Sequence, residues 1–361
     1  MTVHRPYIPG TVLFRVGKGK CSNNVFKCRT SGGSMSRCRM DRRQFLKCLG
    51  TTAGTAMVWG TGLMAGGSNL LSGGFGSLLR EAAAAGNSAQ VAVASGTSAA
   101  DNVRRAVDAL GGIKMFISRG DVVVLKPNIG WDRTPEQAAN TDPDVVVALA
   151  ELCLSAGAKE VRVFDRTCNE PRRCYANSGI QRAVEAYARK HHAGDSLRVY
   201  HVEDRKFQRT DIAGALVLRE WDLYRDALEA DKIVNVPVAK HHSLATVTLG
   251  LKNMMGVMGR NRGQIHFYLP ECLADINRRI PSHLTVIDAT RVLLRNGPSG
   301  GNLEDVKAVG KIFASADVVA ADVVAAEAIF GLKARNVDHI RKAGEAGIGV
   351  ADPSRIRLVE G

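Results

Sequence analysis

Three lysines, two adjacent histidines and a set of amides fall where polar residues directly follow apolar runs. Lys126 and Asn128 follow the run 121–125. Asp165 and Arg166 follow 161–164. Lys240, His241 and His242 come shortly after 232–236, which itself contains Asn235, and Asp288 follows 284–287. Lys252 and Asn253 lie further on, in a glycine-rich stretch containing Gly250, Gly256, Gly259 and Gly263. Ammonium groups converging with amide donors suit a carboxylate or phosphate. A lysine desolvated beside another cation loses basicity and becomes a base or nucleophile. Imidazoles at His241 or His242 would exchange protons near neutral pH. The expected chemistry is therefore acid/base work by Lys240, His241, His242 and Lys252. Lys126, Asn128, Asp165, Arg166, Asn235, Asn253 and Asp288 would hold the ligand.

Such residues need a scaffold that delivers them to one place. Short runs rich in Val, Ile and Leu recur at 91–94, 121–125, 161–164, 197–200, 216–218, 232–236, 284–288, 307–313 and 355–359. Between them lie stretches of helical periodicity at 101–111, 142–156, 178–190, 222–229, 245–255, 269–280, 316–330 and 335–346. Continuous apolar runs are what strands buried on both faces require. Alternation of such strands with helices predicts an α/β fold. Its mostly parallel sheet carries helices on both faces, a Rossmann-like layering in one domain or two lobes. Ligands in open parallel sheets bind beyond the carboxyl ends of the strands. Four strands that each end in ionisable residues predict a shared cleft at that edge.

A metal reading uses His241, His242, His266, Asp165 and Asp288, which carry suitable atoms. A divalent ion would need three or four of them to converge; the cofactor is otherwise unknown. An iron–sulfur cluster is not expected, since no CxxC occurs anywhere in the chain.

The segments Leu125-Lys126-Pro127-Asn128, Asn235-Val236-Pro237-Val238-Ala239-Lys240-His241-His242, Thr246 to Gly256, Gly297-Pro298-Ser299-Gly300-Gly301 and Ala314 to Asp322 together resemble the bacterial and archaeal domain of unknown function 362 family. They run in order through most of residues 120–330. The resemblance implies an α/β fold and no agreed chemistry. Many relatives carry a ferredoxin-like segment that this chain lacks, which weakens a direct redox role.

The stretch 165–177 holds Arg166, Arg172, Arg173 and Tyr175 and would act as a lid over an anionic substrate if it lay across the strand ends. Cys168 and Cys174 share it and are close enough in sequence to bridge. Cys153 reads as a small buried hydrophobe.

The first 85 residues carry 12 Lys and Arg against 2 Asp and Glu, while the remainder carries 37 against 33. Most of the basic excess thus belongs to the leader. Nucleic-acid binding, which needs a basic working domain, is not expected. Arg42-Arg43-Gln-Phe45-Leu46-Lys47 resembles the twin-arginine consensus, with a weakly apolar Gly/Ala/Thr run and a small-residue stretch at Ala82–Ala85 after it. The reading is a disordered or over-extended leader at 1–39, a twin-arginine signal peptide at 40–85, and one α/β domain at 86–361. Cys21, Cys28, Cys38 and Cys48 are spaced unlike zinc knuckles. The expected location is periplasmic or otherwise extracytoplasmic, with the translocation machinery as a partner and no stable transmembrane helix after cleavage.

Three functional classes follow: an exported enzyme on an anionic small molecule, a non-catalytic anion-binding protein, or an accessory protein for an iron–sulfur or metal redox system. Whether the chain is an enzyme stays open at this point.

Overall fold

The computed structural model describes residues 88–361 and, separately, an antiparallel pair of short strands at Phe26–Arg29 and Met35–Cys38. The sequence reading gave 1–39 no regular structure. The twin-arginine segment lies outside the described residues.

From residue 88 the chain runs β1 (Ala89–Ser95), α1 (Ala99–Asp108), β2 (Val122–Pro127), α2 (Pro143–Ser155), β3 (Glu160–Val163), α3 (Pro171–Asn177), α4 (Ile180–Lys190) and β4 (Leu197–Val199). It continues with β5 (Phe207–Asp211), β6 (Glu220–Tyr224), α5 (Arg225–Leu228), β7 (Lys232–Val236), β8 (Val238–His242), β9 (Thr246–Thr248), α6 (Gly250–Asn253) and α7 (Leu269–Arg279). The last elements are β10 (Leu284–Leu293), β11 (Val306–Ser315), α8 (Val318–Phe330), α9 (Asp338–Glu345) and β12 (Ile356–Glu360). The main sheet is ordered β12-β1-β11-β10-β7-β2-β3-β4, and β8 and β9 extend it beside β10. Strands β10, β7, β2, β3 and β4 are mutually parallel, as is the β12–β1 pair; β11 runs antiparallel to both its neighbours. The α/β class with a mostly parallel sheet is thus the observed one.

Strand alternation sorts the side chains. Val123 and Leu125 of β2, Val161 and Val163 of β3, and Val234 and Val236 of β7 join the core under α1, α2 and α4. Val124 and Ile233 point to the opposite face, into the core that includes Leu273 and Ile276 of α7. Lys126 and Asn235 continue that second register, which brings them beneath α6. Residues 216–218, expected as a strand, are not one: the strands there are β5 and β6, which form a separate antiparallel ribbon.

The helix starts are fixed locally. Asp142 caps α2 by accepting from the Asp144 N–H at 2.9 Å, and Pro143 occupies the first turn. Asp317 caps α8 in the same way. No helix among the described residues is long and apolar enough to cross a membrane.

Candidate functional site

A cleft of about 490 Å³ opens at the carboxyl ends of β2, β3 and β8, under the segment that links α6 to α7. Its lining carries five Lys and Arg side chains and a single carboxylate, Asp165. A larger groove, about 1030 Å³, lies along the β4 edge. It mixes acids and bases, such as the Lys206–Asp226 pair at 3.1 Å, and no residue expected for the site lines it.

The floor is built around Asn253. Its amide nitrogen donates to the Lys126 carbonyl (3.0 Å) and to Asn235 Oδ1 (2.8 Å). Its Oδ1 accepts from Lys126 Nζ (3.1 Å) and Asn128 Nδ2 (3.0 Å). Every bonding position of this amide is used, so β2, β7 and α6 are locked together. Asn235, fully buried, spends its own amide on the Gly250 carbonyl at 2.9 Å. It is part of the frame and does not face the cleft.

Lys126 and Asp165 form an ion pair at 2.7 Å, exposed by only 1% and 3%. Burial pulls the Lys126 ammonium below its usual pKa, against the pull of Asp165. Asp165 Oδ2 also accepts from the Ile129 N–H at 2.7 Å. The one carboxylate of the cleft is therefore committed to protein groups.

Lys240 donates to Asn128 Oδ1 (3.2 Å) and to the Ala139 carbonyl, with its ammonium 5.9 Å from the Trp131 ring centre. Burial, with Lys252 and Lys126 nearby, brings its pKa down to about 7. Lys252, buried on α6, has the Met255 sulfur at 3.0 Å as its hydrogen-bond acceptor. Burial, then Arg262 and Lys126, brings it to about 8. A thioether is a weak acceptor for an ammonium, so this charge is the least compensated in the cleft.

Lys252 and Asn253 are placed by Asp322 of α8. Its carboxylate accepts from the backbone N–H of Gly250 (2.6 Å) and Leu251 (2.9 Å). A β-carbon at Gly250 would meet Val318 Cγ2 at 2.7 Å and Asp322 Oδ1 at 2.8 Å, so glycine is required for this approach. Burial outweighs the two N–H donors and raises Asp322 to about 7.

His242 and His266 meet in the cleft with ring centres 6.2 Å apart. His242 Nδ1 accepts from the N–H of Leu244 (3.1 Å) and Ala245 (3.2 Å), which assigns its proton to Nε2. His266 Nδ1 lies 2.9 Å from the Gly263 carbonyl, which can only accept; that ring carries its proton on Nδ1 and a lone pair on Nε2. Burial first, then nearby cations including Lys252, holds both rings below the usual imidazole pKa. The cleft thus presents one neutral imidazole donor and one neutral imidazole acceptor.

Two further expected residues fall elsewhere. The stretch after Pro237 is the strand β8 rather than a loop, so His241 points opposite to Lys240 and His242; its Nδ1 accepts from the Gly297 N–H at 3.2 Å. Asp288 sits in mid-strand, because β10 runs on to Leu293, and accepts from the N–H groups of Asp142 (2.7 Å) and Thr290 (2.9 Å). Burial, then Asp142, raises it to about 6. It anchors the start of α2 and does not line the cleft. The five side chains considered as metal ligands do not converge, and no group of three or more His, Cys, Asp or Glu among the described residues is placed to hold a metal ion.

The 165–177 stretch divides. Arg166, Thr167 and Cys168 line the cleft, with Arg166 fixed to the carbonyls of Met258 (2.9 Å) and Arg260 (2.8 Å). Arg172 and Arg173 lie on the exposed side of α3, and Tyr175 is buried against the Asp165 backbone. The proposed lid is therefore a wall. The Cys168–Cys174 bridge is absent and both thiols are free. Cys168 turns to Arg262 Nη2 (3.2 Å), while Cys174 is buried on α3 with its sulfur toward the Gly130 carbonyl (3.8 Å). Arg262, Met255 and Asp322 were missed in the sequence, and His266 was read only as a candidate metal ligand. The glycine-rich setting of 256–263 was the one signal for that wall.

The chain belongs to the family described as Domain of unknown function (DUF362), which matches residues 123–327 and so contains the whole floor of the cleft. It is 31% identical over 232 residues to a thylakoid-associated protein of Synechocystis sp., covering 62% of this chain and 67% of that protein. Among solved structures, the lactate racemase apoprotein of Thermoanaerobacterium thermosaccharolyticum has a TM-score of 0.39 and 13% identity. The match covers 63% of this chain and about half, 54%, of the racemase chain.

Proposed function

We propose that the chain is an enzyme that binds an anionic small molecule, a carboxylate or phosphate, in this cleft and moves a proton on it. The observation that carries the reading is Lys252. Buried charges in proteins are paired or pay for desolvation, and this ammonium has a thioether as its acceptor while the cleft's carboxylate is held by Lys126. A ligand anion would complete it, with Arg262 and Lys240 close by. His266 Nε2 then serves as the base that takes up and returns the proton, while the neutral His242 Nε2–H donates a hydrogen bond to the bound anion. A neutral imidazole acceptor and a neutral imidazole donor beside one anion site favour this over binding alone.

The test is a calorimetric titration of the full chain with inorganic phosphate and a panel of small carboxylates, repeated with Lys252→Met. Binding lost in the variant supports the site. Incorporation of deuterium from D2O into C–H groups of bound carboxylates, lost in His266→Ala, supports the proton transfer. Binding unaffected by Lys252→Met sinks the reading.

The Arg42-Arg43 motif supports export by the twin-arginine route, with the translocation machinery as partner. Normal export of an Arg42→Lys/Arg43→Lys double variant would refute that part.

A further inference from the structure

Eight large hydrophobic side chains are strongly exposed among the described residues, and three of them lie in the two segments that carry the cleft's histidines. Leu244, 71% exposed, lines the cleft two residues after His242. Phe267 (85%) and Tyr268 (61%) follow directly on His266. The close approach of the two imidazoles brings these segments together. Phe267 and Tyr268 are the only aromatic rings in that exposed set. Met255 and Pro298 add apolar surface to the lining of the cleft.

A site for inorganic phosphate or a short carboxylate has no use for such a lip. Exposed apolar patches beside a polar cleft mark the path of an apolar group. We infer that the ligand is an amphiphile, an anion whose head sits on Lys252 and whose apolar chain or ring leaves across Leu244, Phe267 and Tyr268. This rests on the anion-binding reading above and specifies its substrate class.

The test is a series of phosphate monoesters on the full chain: methyl, butyl and octyl phosphate, with inorganic phosphate as reference. A fully buried methylene strengthens binding about fourfold, so a half-covered one on this lip should give about twofold. Octyl phosphate, with four more methylenes, should then bind about 16-fold more tightly than butyl phosphate. A Phe267→Ser/Tyr268→Ser variant should flatten the series while leaving inorganic phosphate unaffected. If phosphate binds but the series is flat in the wild type, the inference falls and the anion site stands. A gain that persists in the double variant also overturns it. If neither phosphate nor any ester binds, the anion-site reading itself has failed. Vesicle sedimentation separates the remaining occupant: binding to phosphatidylcholine vesicles that is indifferent to Lys252→Met would make the lip a bilayer contact and overturn the inference.

Discussion

Gly256 lies directly over Asp165, so close that a β-carbon on it would overlap Asp165 Oδ1 and stand 2.5 Å from Lys126 Nζ. The backbone after α6 is thus the roof of the buried ion pair, and the Arg166 N–H reaches the Gly256 carbonyl at 3.1 Å. Gly256→Ala must push this roof away or break the pair. Breaking a buried pair costs about 3–5 kcal/mol, and overpacking alone about 1–3 kcal/mol. The expected loss is about 3 kcal/mol, read from the urea midpoint at unchanged slope. A variant of wild-type stability would show that the roof is not tight.

The lysines give the site a pH signature. Anions bind the ammonium form. With Lys240 at about 7 and Lys252 at about 8, affinity should be level below pH 7 and fall as pH rises through 7–8. Stability moves the other way. The unfolded Lys252 keeps its proton up to its ordinary value of 10.5, so between about 8 and 10.5 the unfolded state holds more protons than the folded one. Stability attributable to this group therefore rises with pH in that window. The check compares wild type with Lys252→Met by calorimetry and urea unfolding from pH 6 to 10. If the difference in stability is flat across the window, Lys252 is not desolvated.

Much of this site was legible because strand ends are. Lys126, Asp165 and Lys240 each follow apolar residues that could only be buried strands, and parallel strands share an edge. What failed was register. Nothing local shows that Pro237 merely separates two strands, so the alternation that keeps His242 and expels His241 was hidden. The same holds for Asp288: β10 continues past it only because β8 and β11 supply partners far away in sequence. Asp322 was unreadable as a positioning residue, since its role depends on a helix 72 positions distant.

Asp322 yields a test of that dependence. Asp322→Ala removes the acceptor of two buried backbone N–H groups at the start of α6. Leaving buried donors unpaired costs about 1–3 kcal/mol each, so a loss of about 3 kcal/mol is expected. Phosphate affinity should fall with it, because Lys252 and Asn253 ride on the same helix. Thermal unfolding and calorimetry on one preparation check both. Lost stability with unchanged affinity would separate Asp322 from the site.

Cys168 reports on the field inside the cleft. Among residues 88–361 it is exposed, while Cys153, Cys174 and Cys272 are buried. Its sulfur is 3.2 Å from Arg262 Nη2, in the cleft that Lys126 and Lys252 also line. A cationic cleft concentrates anionic reagents. Iodoacetate, which carries a carboxylate, should therefore alkylate Cys168 faster than neutral iodoacetamide, in contrast to an exposed thiol on a neutral surface. Inorganic phosphate should protect it, and Arg262→Gln should restore the ordinary preference for the neutral reagent. Peptide mapping by mass spectrometry after timed labelling of the full chain assigns the modified residue. If Cys168 prefers iodoacetamide in the wild type, the cations of the cleft are neutralised by other groups, and the case for an anionic ligand loses its electrostatic basis.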